Sequence, residues 1–264
     1  PFRVIDTHAG IGLYDLTGDP ARRSPEFKDG IVRVLDAVRP EGVQSALAPL
    51  LQAVRACNAP VGLSAYPGSP EIAARLVRDM DRIHLCELHG EDARMLDQRY
   101  ARDARVKVEA RDGYAALKAL VPPRERRGLV LVDPPFEDRD ELAHMAEAIM
   151  PAIEKWPNGM YVFWRPLKDI WAAERFDVGL AEWLISEQRL DPEKILRADL
   201  WVRDLESEGK LAGAGVVVVN PPYTLEARLL ALLPWLAETL AQGEGAGWRL
   251  DGAIGEDTLM VDEF

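Results

Sequence analysis

The chain has little with which to build covalent or metal staples. Of its 264 residues, two are cysteine and four are histidine. Cys57 and Cys86 form no disulfide framework and no zinc pattern, which points to a reducing compartment. His84 and His89 flank Glu87 without the spacing of a zinc helix, and no metal site is expected. No apolar run is long enough to cross a bilayer, and no signal peptide is visible, so a cytoplasmic protein is expected. Positive charge is also short: 32 Lys and Arg stand against 44 Asp and Glu, a net charge of −12. That balance argues against a large, non-specific nucleic-acid surface. A local one remains open, because arginines gather at Arg94, Arg99, Arg102, Arg105 and Arg111, and again at Arg124, Arg126 and Arg127. They read either as solvated helix faces or as a basic rim.

What is present is an ordinary soluble core-forming composition, with 48% hydrophobic and 29% charged residues. Strand-like and helix-like segments alternate. Residues 2–6, 83–87, 106–109, 129–132 and 160–164 read as strands, and residues 91–100, 113–120 and 141–155 as helices. This rhythm predicts an α/β fold, a parallel sheet covered by helices on both faces. Residues 195–202 and 215–219 lack a long helix between them and read as a hairpin, giving an antiparallel late strand. Ile31, Val34, Leu35 and Val38, and then Leu47, Leu50, Leu51 and Val54, have helical spacing, so a small helical insertion is expected over about 26–63. Ser69 reads as a helix N-cap with Pro70 at the first helical position. No linker divides the chain, and residues 1–264 read as a single domain.

The most informative stretch is Asp133-Pro134-Pro135-Phe136, after the apolar run 128–132. Two prolines cannot continue a ladder, so the chain turns there. In open α/β sheets the carboxyl ends of strands line the ligand crevice. A carboxylate and a proline carbonyl accept protons from an amino group, and an aromatic face stacks on the planar base that carries it. An accidental Pro-Pro turn is the plainer reading.

Three further strand ends fall in series. Gly10 and Gly12 follow the first strand, without the third glycine of a dinucleotide fingerprint, so NAD is disfavoured. His8 in that loop either contacts a cofactor carboxylate or satisfies the turn. Glu87 either binds ribose hydroxyls or is an exposed strand terminus. Asp112 either accepts from an adenine amine or caps the helix starting near Gly113. Each is weak alone; their order along one sheet edge is far more specific.

With these residues in place, the sequence resembles S-adenosylmethionine-dependent methyltransferases with a Rossmann-like sheet. More closely, it resembles the bacterial 23S ribosomal RNA adenine-N6 methyltransferase family of the J type. The carrying segments are Asp6-Thr7-His8-Ala9-Gly10, Tyr66-Pro67-Gly68-Ser69-Pro70, Glu87-Leu88-His89, Asp112-Gly113, Arg127 to Glu137 and Val219-Asn220-Pro221-Pro222-Tyr223. The resemblance implies S-adenosylmethionine as cofactor, held by His8, Ser69, Glu87, Asp112, Gly113 and Asp133. It implies that Asp133, with Pro134 and Phe136, handles the target adenine amine, and that the partner is 23S rRNA, protein-free or incompletely assembled. Position 136 is often tyrosine in the family; Phe136 keeps a ring without a hydroxyl. The family also carries a segment ahead of the first strand, with a histidine and a lysine near the cofactor, so a missing natural start is expected.

Other readings compete. A methyltransferase acting on protein glutamine or a small amine uses similar parts, and a non-catalytic RNA-binding module needs no cofactor pocket. Asn220-Pro221-Pro222-Tyr223 is a rival amine-binding motif, but it opens an amphipathic helix over 225–240 and reads better as a structural junction. Ser64 and Ser69 lack a nucleophile-elbow context, which disfavours a hydrolase. Trp156, Trp164, Trp171, Trp183 and Trp201 read as packing residues rather than base platforms.

Overall fold

The apolar runs become strands of one sheet because each is closed by a turn-forming residue and is too short for a buried helix. A computed structural model of the protein describes residues 1–205 and 211–252. In chain order the elements begin with β1 (Arg3–Asp6), β2 (Leu13–Asp15), α1 (Asp19–Arg23), α2 (Arg33–Asp36), α3 (Glu41–Ala56), β3 (Ala65–Pro67) and α4 (Ser69–Leu76). They continue through β4 (Arg82–Glu87), α5 (Gly90–Tyr100), β5 (Val106–Ala110), α6 (Gly113–Leu120), β6 (Gly128–Val132) and α7 (Glu141–Lys155). The last are β7 (Met160–Pro166), α8 (Ile170–Ser186), β8 (Ile195–Trp201), β9 (Gly213–Val219), α9 (Leu225–Leu240) and β10 (Gly247–Gly252).

The main sheet has the order β10-β8-β9-β7-β6-β1-β4-β5. From β7 to β5 its strands are parallel. β9 runs antiparallel to both β7 and β8, and β10 antiparallel to β8. The expected antiparallel strand is therefore present. It lies inside the sheet, between β7 and β8, and a further antiparallel strand that the sequence did not signal closes the edge. Part of the connection between β8 and β9, residues 206–210, lies outside the described residues.

Period-two alternation sorts the core onto two faces. Ile5, Val130 and Val132 point to the face covered by α6, α7 and α8, where Leu117, Met145, Ile149 and Leu180 are buried. Val4, Ile83 and Leu85 point to the other face, against Leu96 and Tyr100 of α5. Cys86 is buried, as its apolar run implies.

Between β2 and β3, which pair as a short antiparallel ribbon, the chain carries α1, α2 and α3. Val43, Leu47, Leu51 and Val54 of α3 pack with Leu232, Trp235, Leu236 and Leu240 of α9 in a third cluster. Two local expectations need correction. α2 stops at Asp36, and Val38 is fully out in solvent, because the chain turns toward Pro40. The N-cap of α4 is Gly68, not Ser69, and Ser69 is the first helical residue. Its hydroxyl instead meets Asp6.

Candidate active site

The carboxyl ends of β1, β4, β5 and β6 open into a crevice of about 780 Å³. β1 delivers Asp6, which is 1% exposed. Burial raises its carboxyl to about 6, against the lowering effect of the Ser69 hydroxyl and the His8 amide; the charges of Asp133 and Glu87 add to the rise. Thr7 Oγ1 donates to the Leu131 carbonyl at 3.0 Å, tying β1 to β6. The same oxygen lies 2.8 Å from His8 Nδ1. A hydroxyl has one proton, so His8 Nδ1–H donates to Thr7 and Nε2 is left as an acceptor. Burial holds the imidazole below its ordinary range, and its ring meets Tyr114 edge-on at 4.8 Å.

The glycine loop after β1 is held from β4. Glu87 accepts the Gly10 amide through Oε2 and the His89 amide through Oε1, both at 2.8 Å. Gly10 has φ +61°, and a Cβ there would lie 2.4 Å from Tyr14 Oη. Glycine is thus required twice over, by conformation and by space. Asp112 is the N-cap of α6, its Oδ1 accepting the amides of Tyr114 and Ala115. The capping reading is met, and Asp112 also lines the crevice. Gly113 is buried rather than on the wall. A Cβ there would lie 2.0 Å from the Thr7 carbonyl oxygen, so glycine lets α6 start directly against the end of β1.

Asp133 faces the crevice at the end of β6. The residue stays open to solvent, and partial burial of its carboxyl against the crevice walls pushes it up to about 6. Pro134 is buried beneath, and Pro135 is on the wall. Phe136 has φ +52°, a left-handed conformation costly for an aromatic residue. Its ring lies 5.4 Å from Trp164 and packs against the main core. Strain of this kind persists only where the surroundings enforce it.

His8, Glu87, Asp112 and Asp133 thus share one crevice, while Ser69, Gly113, Pro134 and Phe136 are not among its lining residues. Sequence reasoning missed Asp6, which reads as one more strand residue, and the wall residues Asp92, Tyr114, Glu137 and Glu141. Tyr114 Oη donates to Glu141 Oε1 at 2.8 Å. None of the arginines in the two sequence clusters lines the crevice. Arg105 is held by Asp103 and by the carbonyls of Ala74 and Val77, and Arg99 by Glu71. Asn220 lies elsewhere. Val219 pairs with Tyr161 at the start of β7, so Asn220 stands at the opposite end of the strands from Asp133. Its amide donates to the carbonyls of Pro157 and Gly159. That geometry makes it a junction, as the helix after it suggested.

Comparison with known proteins shows the family. Residues 1–253 match the family described as ribosomal RNA large subunit methyltransferase D, RlmJ. Ribosomal RNA large subunit methyltransferase J of Haemophilus influenzae is 34% identical over 251 residues, covering 95% of this chain and 86% of that protein. The Escherichia coli protein of the same name is 34% identical over 240 residues, covering 91% and 82%. Among solved structures, protein LPL1258 from Legionella pneumophila superposes with a TM-score of 0.84 at 30% identity, covering 96% of this chain and 89% of that one. The chain belongs to the ribosomal RNA large subunit methyltransferase J family.

Proposed function

We propose that the protein transfers a methyl group from S-adenosylmethionine to the exocyclic N6 amine of an adenine in 23S rRNA. One observation carries this reading: Asp133 ends a parallel strand facing the same crevice as His8, Glu87 and Asp112. The crevice chemistry fits the donor. Its wall carries Glu87, Asp92, Asp112, Asp133, Glu137 and Glu141, with no lysine or arginine among the lining residues. Such a field favours a ligand bearing an ammonium and a sulfonium against one carboxylate. It also repels phosphates, so the target enters as an extruded base.

Glu87, already in contact with two backbone amides, receives ribose hydroxyls on its remaining lone pairs. Asp112 accepts from the cofactor's adenine amine. His8 offers its Nε2 acceptor to an ordered water or amino group. Ser69 and Gly113 support these groups from behind the wall. Asp133 and the Pro134 carbonyl hold the target amine, and Phe136, braced by Trp164, supplies a ring for the base.

When bound, the sulfonium supplies an electrophilic methyl group. The protein's contribution is position. By accepting the N–H bonds, Asp133 turns the nitrogen lone pair toward the methyl carbon. No proton need leave before attack, because the nitrogen becomes acidic as it gains the methyl group. Asp133 or water then takes the proton. Extruding the base costs about a few kcal/mol, least where it is already unpaired; the substrate in this reading is 23S rRNA in the cytoplasm, protein-free or incompletely assembled.

The test is transfer of labelled methyl to unmodified large-subunit rRNA, followed by mapping of the product base. Label on an adenine N6 of 23S rRNA is expected. Label on peptide alone, or on a ring nitrogen, contradicts the reading.

A further inference from the structure

A second cavity lies near the crevice, and one side chain links the two. Tyr14 of β2 sets its hydroxyl over Gly10, which lines the crevice. The same residue walls a separate cavity of about 330 Å³, with Leu16, Phe27, Ile31 and Tyr66. That volume is at the small end for ligand sites. Three of the lining residues are aromatic, and none is a cation. Such a lining receives a flat, uncharged group and offers no partner to a phosphate. Exposed Ser24 and Glu26 complete it, with Ser24 Oγ donating to Glu26 Oε1 at 2.9 Å. Glu26 therefore keeps acceptor sites for an amino group.

The cavity has a firm floor. Phe27 and Tyr66 pack on the cluster formed by Ile31, Val34 and residues of α3 and α9. Its position relative to the chemistry is also fixed. Burial first, and then the charges of Asp6, Asp133 and Glu87, raise the Tyr14 hydroxyl above its ordinary range. The geometric link is the glycine loop: Tyr14 Oη lies over Gly10, whose amide is held by Glu87 of the crevice wall at 2.8 Å. A base that leaves its stack strands its neighbour, whose exposed face then needs a flat partner. Aromatic side chains fill that role where proteins read unpaired RNA.

We propose that the Tyr14–Phe27–Tyr66 cavity is a subsite for an unpaired nucleobase adjacent to the target adenine, stacked on Tyr14 with its amino edge toward Glu26. The inference rests on the rRNA reading above and adds a recognition element beyond the target base itself.

The test uses a 23S rRNA fragment containing the target, and the same fragment made abasic on one side of the target or the other. With wild-type protein, one abasic fragment should show a KM about tenfold or more above that of the intact fragment. Tyr14→Leu should raise the KM for intact RNA by a similar factor and leave that abasic fragment no worse, because both changes remove one contact. Tyr14→Phe, which keeps the ring, should recover most of the loss. Equal KM values for intact and both abasic fragments in wild type overturn the subsite without recourse to any variant. Additive losses in Tyr14→Leu overturn it too. Failure of wild-type protein to methylate the intact fragment overturns the rRNA reading, and the subsite with it.

Discussion

Glu87 accepts the amide of Gly10 at 2.8 Å, so the carboxylate that ends β4 holds the loop that ends β1. Its other oxygen holds His89 at the start of α5. One side chain therefore sets the spacing of two crevice walls before any ligand arrives, which is the preorganisation that tight binding requires. Glu87→Ala should weaken S-adenosylmethionine binding by about tenfold or more by calorimetry. Glu87→Gln keeps a single acceptor oxygen and should fall between Ala and wild type. Equal affinity in all three proteins contradicts the role.

Asp6 gives a prediction about pH. Burial raises its carboxyl to about 6, so between the ordinary carboxylate range and pH 6 the folded state holds a proton that the unfolded state releases. Its contribution therefore falls as pH rises through that window. Asp6→Asn removes the buried charge, and its oxygen still accepts from the His8 amide. The variant should melt higher than wild type at pH 8, with the gap narrowing as pH drops from 6 to 4. A gap that widens on acidification reverses the assignment.

Asn220 should matter for stability alone. Its amide bonds to Pro157 and Gly159 and its left-handed backbone are lost or strained in Asn220→Ala. Urea unfolding should show a loss of about 1–2 kcal/mol. Methyl-transfer turnover at a temperature where the variant is folded should stay near wild type. A hundredfold drop there returns this motif to the catalytic site.

The parts of the site visible in the sequence are those that end parallel strands. Glu87 and Asp133 each follow an apolar run and precede a turn, and Asp112 follows the alternating edge strand β5 and precedes a helix, so their position at the strand ends follows from chain order alone. Asp6 does not stand out in that way, because its character depends on Ser69, distant in sequence, and on burial that only the assembled sheet creates. β2 and β3 are three residues each, too short to show a period. β10 is half-buried along most of its length and has no apolar signature. The N-cap misassignment has a simple cause: serine is a favoured cap, but Gly68 has the extended backbone a cap needs, and Ser69 follows as the first helical residue with its side chain toward Asp6.

The central claim is that Asp133 positions the amine that is methylated. The most direct measurement is the single-turnover rate on unmodified 23S rRNA, with Asp133→Ala compared to wild type, both folded and saturated with S-adenosylmethionine. A loss of about hundredfold or more is expected, with the residual product still on the same adenine. A wild-type rate from the Asp133→Ala protein contradicts it.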